Sequence, residues 1–468
     1  MKEKTHVDDV DRSLYDFRNA DTDSYRIEGG LDAAVVEKIS QEKNDPAWMH
    51  DFRLQALEIY NRTPVPDWGP DISGLNMDNI ATYVRPNTKM NTSWEDVPEE
   101  IKDTFERLGI PQAERQSLAG VGAQYDSELV YHNVRQEVAE MGVVYSDLES
   151  SMRGEYAEMI QSHFMKLVPP TDHKFAALHG AVWSGGSFVY VPPGVKVEIP
   201  LQSYFRLNAP GAGQFEHTLI IVDEGADLHF IEGCSAPKYN VANLHAGCVE
   251  LFVGRNARLR YSTIENWSKN MYNLNTKRAV VEEGGVMEWV SGSFGSHVSY
   301  LYPMTILKGD RSRMEFTGIT FAGHGQDLDT GAKVVHTGKN TSSFINTRSI
   351  SKDGGVSTFR SAVTVAKQAE NTKSSVSCES LMLDDRSRSD TIPAMDIRTK
   401  HADVGHEAKI GRISDEAVFY LMSRGISEED ARAMIVSGFA DNVSKELPLE
   451  YAVEMNNLIQ LEMKGSIG

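Results

Sequence analysis

Cysteine is the residue type in this sequence with the most specific chemistry, because a thiolate is both a nucleophile and a metal ligand. The chain has three cysteines, Cys234, Cys248 and Cys378. Their number is odd and no CxxC pair occurs, which argues against a disulfide framework, a cysteine-pair zinc site and a ferredoxin-type site. Any metal chemistry must therefore use mixed ligands or a partner.

The three cysteines lie in different local contexts. Cys234 follows a predicted strand, in EGCSAP at 232–237, where a turn beside Gly and Pro can expose a reactive thiol. A free cysteine of this kind can also be a small buried hydrophobe. Cys248 lies in a strand-like segment, HAGCVELF at 245–252, and is expected to belong to the core.

Cys378 is the cysteine with candidate co-ligands downstream. It lies in SSVSCESLML at 374–383, and His406 and Glu407 follow about two short repeats later. Thiolate, imidazole and carboxylate together suit iron or zinc. The alternative interpretation is a buried structural cysteine and an unrelated surface His–Glu pair.

Several common catalytic patterns are absent from the sequence. It contains no HExxH, no His-x-His, no GxxxxGK[ST] phosphate loop and no GxSxG elbow. We therefore expect no nucleotide hydrolysis by the phosphate-loop route. The adjacent acids Asp384 and Asp385 lie in a predicted polar turn and are a weak basis for a glycosidase.

Composition indicates a globular protein with an acidic surface. The 468 residues carry a formal charge of −20, which disfavours binding to nucleic acid. Hydrophobic residues make up 40% and charged residues 24%, enough for a buried core. No apolar run approaches the roughly 18 residues of a membrane helix. The first residues lack a secretory h-region, so we expect a cytoplasmic location.

Residues 1–150 are predicted to form an N-terminal helical domain. Apolar spacing and turn signals predict helices over 31–43, 46–62, 98–108 and 126–140. Asp45 is the expected cap of the second helix, with Pro46 in its first turn. The proline-rich segment 63–71 is predicted to be an extended loop.

Residues 151–400 are predicted to be a stack of short β-strands. An apolar strand end, a polar turn and an alternating strand recur as a weak repeat. The repeats begin at Val222, Val253, Val281, Leu307, Val335, Ile350 and Val365. A unit that cannot bury its own apolar face must stack on its neighbours, which favours a β-helix or related solenoid, with a β-sandwich as the alternative.

Residues 401–468 are predicted to form a C-terminal helical domain. Ser414 is the expected cap of a helix that ends before Gly425, and Ser427 opens the next helix, over 428–440. Pro448 is expected in the first turn of a last helix, over 449–463. These helices are predicted to cap the open edge of the solenoid and to form a docking surface.

Seven longer segments, taken in order, resemble one protein family. They are KNDPAWMHDFRLQAL (43–57), GVGAQYDSE (120–128), VYVPPGVKVEIPLQSYFRLN (189–208), EGCSAP (232–237), TKRA (276–279), SRSDTIPAMDI (387–397) and HEAKIGRISDEAVFYLMSRGI (406–426). In these segments the chain resembles the SufB/SufD family of the Suf iron–sulfur cluster assembly machinery, and within it the scaffold subunit. The resemblance covers nearly the whole length.

The resemblance implies a right-handed parallel β-helix between helical ends and a scaffold without enzyme activity of its own. It implies that the C-terminal helices dock a SufC-like ABC ATPase. Further implied partners are a SufD-like paralogue or a second copy of the chain, a cysteine desulfurase with a SufE- or SufU-type sulfur carrier, and apo target proteins. The implied cofactors are a transient iron–sulfur cluster and, within the complex, reduced flavin.

The resemblance also implies roles for individual residues. Cys234 corresponds to the sulfur acceptor, and Cys378, His406 and Glu407 correspond to the site of the nascent cluster. The polar residues that line the path between the two cysteines correspond to Arg206, Asn208, Glu265, Trp267 and Lys277. This chain departs from relatives at Gly405, where better-known members have an acid, and at Glu265, where some have Gln.

Physical arguments are consistent with these implied roles. A persulfide must be shielded from water and oxidants, and the interior of a β-helix can shield it. A cationic lining residue is expected to lower the pKa of the acceptor thiol. Because three cysteines cannot supply four thiolates at one site, the cluster is expected at a subunit interface with nitrogen or oxygen ligands.

Two alternative functions are considered. A SufD-like structural subunit without its own cluster site is disfavoured by the presence of Cys234, Cys378 and the His406–Glu407 pair. A β-helix enzyme that acts on polysaccharides is disfavoured because neither a signal peptide nor a convincing acid/base cluster is apparent.

Overall fold

The computed structural model describes residues 17, 19, 23–27, 30–108, 110, 118–447 and 449–463. Ten α-helices are defined in this part of the chain: α1 (Ala33–Glu42), α2 (Ala47–Arg62), α3 (Glu99–Arg107), α4 (Gln136–Glu140), α5 (Leu148–Ser151), α6 (Ala157–His163), α7 (Lys174–Val182), α8 (Asp415–Met422), α9 (Glu428–Ser444) and α10 (Leu449–Met463). Short 3₁₀ turns span Met77–Asn79 and Trp94–Asp96.

Strands dominate the rest of the described chain. They are β1 (Asp23–Ile27), β2 (Tyr83–Pro86), β3 (Gly120–Tyr125), β4 (Glu128–Val134), β5 (Val144–Asp147), β6 (Ser187–Val191), β7 (Leu201–Arg206), β8 (Gly213–Gln214), β9 (His217–Val222), β10 (Asp227–Ser235), β11 (Asn243–His245), β12 (Cys248–Val253), β13 (Arg258–Asn266), β14 (Met271–Asn273), β15 (Thr276–Val281), β16 (Val286–Phe294), β17 (Val298–Leu301), β18 (Met304–Leu307), β19 (Arg313–Ala322), β20 (Asp327–His336), β21 (Ser342–Ser351), β22 (Val356–Val365), β23 (Thr372–Met382), β24 (Arg388–Ile397) and β25 (Ala402–Arg412).

The strands form a β-solenoid of about eight turns, which confirms the predicted fold class. One sheet has the order β25-β23-β21-β19-β16-β13-β10-β7-β3-β4 and is parallel except for the β3–β4 hairpin. The second sheet contains the remaining strands of each turn. Early turns have three strands, such as β10, β11 and β12, whereas later turns have two. The change occurs at β20, which pairs with β17 along its first half and with β18 along its second.

The first four predicted repeats stack in register. Val222 pairs with Val253, Val253 with Val281, and Val281 with Leu307. The fifth predicted repeat was placed one residue too early, because Leu307 lies opposite His336 and not Val335. The last three predicted repeats, which begin at Val335, Ile350 and Val365, are 15 residues apart. This spacing is half a turn, since Ile350 lies on β21 in one sheet and Val365 on β22 in the other.

Two local predictions were wrong. The predicted helix over 126–140 is the second strand of a hairpin followed by the short helix α4. Asp126 has a positive φ of 54° in the hairpin turn, and β4 completes the edge of the large sheet. Asp45 does not cap α2, which begins after Pro46; its carboxylate accepts instead from Arg53 Nε at 2.7 Å.

The C-terminal helices cover a sheet face and leave the last turn open. Ser414 and Ser427 cap α8 and α9 as predicted, whereas Pro448 lies outside the described residues. Residues of α9 and α10 such as Val436 and Ile459 pack on outward-facing Ile231, Ile264 and Val290 of the large sheet. The predicted capping of the open edge was therefore wrong, because this outward apolar face provides the better partner.

The interior of the solenoid is apolar in its middle. Side chains from both sheets, including Leu228, Leu259 and Val281, form one continuous core. Aromatic rings continue from turn to turn, with Phe230 and Tyr261 stacked at 5.6 Å between centroids. None of the described helices is both long and apolar enough to cross a membrane.

Candidate functional site

Cys234 points into the solenoid near the end of β10. Strand alternation places Leu228, Phe230, Glu232 and Cys234 on the inner face, so the interior changes from apolar to polar along this strand. The Cys234 side chain packs among Phe205, Trp267 and Met271. Cys234 is 1% exposed, which agrees with the alternative of a buried cysteine and not with an exposed turn thiol.

Lys277 links two buried carboxylates beside this thiol. Its Nζ donates to Glu232 Oε1 at 2.7 Å and to Thr263 Oγ1 at 3.1 Å, and lies 3.5 Å from Glu265 Oε1. Glu265 is the register partner of Cys234 on the next turn. Burial lowers the pKa of Lys277, but the charges of Glu232 and Glu265 outweigh it and raise that pKa, so the amine stays charged.

The charged network extends through groups that the sequence did not single out. Asn273 Nδ2 donates to Glu265 Oε2 at 2.7 Å, and His245 bridges Asn273 and Glu216 at 2.8 Å and 2.6 Å. Burial lowers the pKa of His245, but Glu216 and Glu265 raise it overall. Tyr261 Oη donates to Glu232. These residues come from three successive turns, so the register brings them together.

The pKa of the Cys234 thiol is raised well above its ordinary value. Burial is the largest cause, and Glu232, Glu216 and Glu265 add to it, whereas Lys277 acts in the opposite direction. Lys277 therefore lowers this pKa as expected, but burial and the three carboxylates outweigh its effect, so the thiolate is not favoured. In the resting chain the thiol is protonated, and its Sγ lies 3.9 Å from Glu232 Oε1.

The predicted path residues divide into two groups. Glu265, Lys277 and Trp267 surround Cys234, and the Trp267 N–H has no hydrogen-bond partner among the described residues. Arg206 lies on the opposite face of β7, where its Nη1 donates to Ser235 Oγ at 3.0 Å. Asn208 follows β7, and its backbone N–H donates to Asp126 Oδ1 at 2.6 Å.

Cys378 lies five turns further along the large sheet, on the inner face of β23. Its Sγ is 3.7 Å from Thr391 Oγ1 and 3.9 Å from Ser380 Oγ. At about 4.8 Å per strand, the two cysteines are roughly 24 Å apart along the solenoid axis. They cannot exchange sulfur by direct contact.

His406 and Glu407 lie on the last strand, β25, and face opposite sides of the sheet. His406 pairs with Val376, so it shares the inner face with Cys378, and its Nε2 has no partner among the described residues. Glu407 pairs with Ser377, accepts from its hydroxyl at 3.1 Å, and has a side chain 62% exposed. Within one described chain, these three residues do not converge on one point.

Two polar columns join the neighbourhoods of Cys234 and Cys378 along the inner face of the large sheet. One consists of Cys234, Glu265, Ser293, Thr320, Ser349 and Ser380, and the other of Glu232, Thr263, Ser291, Gly318, Thr347 and Cys378. Their middle members line a cavity of about 20 Å³ between the two sheets. The sequence signal was a hydroxyl residue at matching positions of successive strands, which only the register reveals.

The fold and these sites together define a class: a β-solenoid protein with helical ends that encloses two thiols joined by two columns of mostly polar residues. Residues 36–203 match the family described as SufBD protein N-terminal region, and residues 205–439 match SUF system FeS cluster assembly, SufBD core domain. The chain is 51% identical to the iron-sulfur cluster assembly protein SufB of Bacillus subtilis (strain 168) over 460 residues, 98% of this chain and 99% of the relative.

A second relative gives the same result. The chain is 50% identical to an iron-sulfur cluster assembly SufBD family protein of Staphylococcus aureus (strain MRSA252), over 98% of this chain and 99% of that protein. The chain therefore belongs to the SufB/SufD family and takes part in iron–sulfur cluster assembly.

Replacing Lys277 with methionine is expected to destabilise the fold by about 3–5 kcal/mol, because it leaves the Glu232 and Glu265 carboxylates buried without their cation. Urea unfolding measures the effect. The matched control is Lys308→Met, which removes an ion pair of the same 2.7 Å length to Glu282 from a lysine that is 62% exposed. We expect the control to cost less than about 1 kcal/mol. Equal effects would contradict the buried role of Lys277.

Proposed function

We propose that this chain is the scaffold on which iron–sulfur clusters are assembled de novo and from which they are transferred, within a SufBCD-type complex in the cytoplasm. Cys234 accepts sulfur from a persulfide donor, and Cys378 with His406 and Glu407 holds the nascent cluster. The observation that carries the proposal is the pair of polar columns that joins the two buried thiols through the interior.

Sulfur uptake at Cys234 is a thiol–persulfide exchange. The Cys234 thiolate attacks the terminal sulfur of the donor persulfide, one S–S bond forms as another breaks, and the donor leaves as a thiolate, so no external oxidant is consumed. The proton of Cys234 passes to Glu232, whose Oε1 lies 3.9 Å from Sγ. Lys277, which contacts Glu232, then stabilises the negative charge on sulfur. These roles account for a buried cation at this site.

Access to Cys234 requires a local opening, because the thiol is buried in the isolated chain. The segment that follows β10, residues 236–242, connects to β11 and carries the exposed side chains of Lys238, Asn240 and Val241. We place the docking of the sulfur carrier at this segment. Its displacement opens the end of the strand on which Cys234 lies.

The open end of the solenoid is the proposed dimer surface. β24 and β25 end the two faces of the solenoid. Among the described residues β24 pairs only with β22 and β25 only with β23, so each leaves an edge that can accept another strand. Ile392, Met395 and Ile410 on these strands are exposed large hydrophobic side chains. A SufD-like paralogue or a second copy of this chain would cover them and supply the cluster ligands that one chain lacks.

The C-terminal helices are the proposed site for the SufC-like ATPase, which supplies the nucleotide hydrolysis. Helix α8 exposes Phe419, Tyr420 and Met422, with Phe419 71% exposed. Exposed aromatic side chains in a group are typical of protein interfaces. Apo target proteins receive the finished cluster, and reduced flavin in the complex is the proposed source of electrons.

A substitution in the polar columns tests the path. Thr320→Leu removes a hydroxyl that faces Thr330 Oγ1 at 2.9 Å and fills the cavity with an apolar side chain. We expect labelled sulfur to reach Cys234 normally, while cluster formation in the complex slows about tenfold, which corresponds to a barrier higher by ~1.4 kcal/mol.

Thr317→Leu is the matched control, because Thr317 lies on the same strand but on the outer face. It is expected to leave both steps unchanged. If Thr320→Leu builds clusters at the wild-type rate, sulfur does not travel along these columns.

A further inference from the structure

Cys248 belongs to a second buried cluster that the proposed sulfur path does not use. His179 on α7, His217 at the start of β9 and Cys248 at the start of β12 are each at most 1% exposed. Cys248 and His217 are register partners on adjacent turns. The ligand atoms of the three residues all lie within 4.8 Å of one another, and this is the one such group of three among the residues that the structure describes.

The hydrogen bonds of the two histidines leave their inner nitrogens facing each other. His179 Nδ1 lies 2.9 Å from the carbonyl oxygen of Ala246, an acceptor, so this nitrogen carries a proton. His217 Nε2 lies 3.2 Å from Glu250 Oε2. Glu250 accepts from the backbone N–H groups of Met165, Leu167 and Val168, so both of its oxygens act as acceptors. His217 Nε2 is therefore the donor of its hydrogen bond.

With protons on the outer nitrogens, which are His179 Nδ1 and His217 Nε2, the inner nitrogens His179 Nε2 and His217 Nδ1 present lone pairs to each other across 3.0 Å. Two lone pairs at this distance require a cation between them, either a proton or a metal ion. The outer contacts are those of metal-ligating histidines, whose second nitrogen usually donates to a carboxylate or a backbone carbonyl. The Cys248 Sγ and one ring nitrogen of each histidine lie within 4.8 Å of one another, close enough to share one ion.

We propose that His179 Nε2, His217 Nδ1 and Cys248 Sγ bind one zinc-like divalent cation. Two histidine nitrogens at ~2.0–2.1 Å from a tetrahedral ion are about 3.3 Å apart, so the observed pair needs to widen by only a few tenths of an ångström. The bound ion joins α7, which packs with the N-terminal helices, to two adjacent turns of the solenoid. Its role is structural and separate from the nascent cluster.

A chain with a single thiol tests this site directly. The double substitution Cys234→Ala and Cys378→Ala leaves Cys248 as the sole cysteine of the sequence. Titration of this purified full chain with Co²⁺ alone is expected to give a thiolate-to-cobalt charge-transfer band that saturates at one equivalent and is reversed by Zn²⁺. Adding Cys248→Ser should remove the band. No band in the single-thiol chain, or a band that survives Cys248→Ser, would overturn the proposal.

Two further measurements keep the test decisive if Cys248→Ser folds poorly. X-ray absorption of the Zn²⁺-loaded single-thiol chain should show one sulfur at about 2.3 Å and two histidine nitrogens at ~2.0–2.1 Å. Zn²⁺ should also raise its thermal midpoint, and His179→Gln should abolish that rise. If Zn²⁺ leaves the midpoint unchanged and the absorption spectrum shows no sulfur ligand, the histidine pair holds a proton and not a metal ion.

Discussion

The substitution Cys378→Ala is expected to abolish cluster assembly by the complex while changing the fold little. Cys378 is buried on the inner face of β23, and its thiol makes only long contacts, 3.7 Å and 3.9 Å, with neighbouring hydroxyl groups. Loss of this sulfur is expected to cost about 1 kcal/mol of stability. It removes the sole cysteine at the open end of the solenoid in the described chain, so the proposed cluster site loses its sulfur ligand.

The measurement is anaerobic reconstitution of the complex with iron, a sulfur donor and an apo target protein, followed by the activity of the target. Ser375→Ala is the matched control, since Ser375 lies on the same strand but faces outward. We expect it to assemble clusters at the wild-type rate. Normal maturation by the Cys378→Ala complex would show that the cluster is built elsewhere, as it would be if this chain were a SufD-like structural subunit.

The substitution Cys234→Ala is expected to eliminate uptake of sulfur from a ³⁵S-labelled persulfide donor. The thiol is enclosed by Phe205, Trp267 and Met271, and it lies beside Glu232 and Lys277, its proposed proton acceptor and charge partner. The other two thiols cannot replace it. Cys248 belongs to a different cluster, and Cys378 is about 24 Å away along the axis.

Two comparisons separate loss of the acceptor from loss of the fold. Cys378→Ala should still take up label at Cys234. The Cys234→Ala complex, when supplied with inorganic sulfide, should still assemble clusters at Cys378, because free sulfide bypasses the acceptor. Unchanged labelling of Cys234→Ala would remove Cys234 from the path.

A pH dependence of uptake provides a further readout within the same assay. Burial and the charges of Glu232, Glu216 and Glu265 raise the pKa of the thiol, so its reactive thiolate is scarce at neutral pH. Uptake by the wild-type chain is expected to increase as the pH rises. A rate that falls with rising pH would contradict deprotonation of Cys234 as part of the reaction.

Several features of the fold could be predicted because they depend on neighbouring residues. The caps Ser414 and Ser427 act within one helical turn, and the stacked repeats at Val222, Val253 and Val281 have nearly constant spacing. The predicted helix over 126–140 was wrong because the structure of this segment depends on residues that are distant in the sequence. Pairing of β4 with β3, a tertiary contact at the edge of the large sheet, outweighed the helical spacing of the segment.

The candidate site was predictable in some of its members but not in its arrangement. Cys234, Lys277 and Glu265 were named from the resemblance, and they do lie together. Their electrostatics were not predicted, because the raised pKa of Cys234 depends on Glu232 and Glu216, one of which comes from the opposite sheet. The partners His245 and Tyr261 were missed because nothing in their local sequence distinguishes them from core residues.

The sequence by itself determined the class of fold, the helical ends, the family and the number of available thiols. Only the tertiary structure decided which side of each strand a residue faces. Cys234 and His406 face the interior whereas Glu407 faces outward, because neighbouring residues of a strand alternate between its two sides. An error of one residue in a predicted register, such as that between Leu307 and Val335, reverses this assignment. The unequal lengths of the turns, and not any fixed period, therefore align the polar columns between the two cysteines.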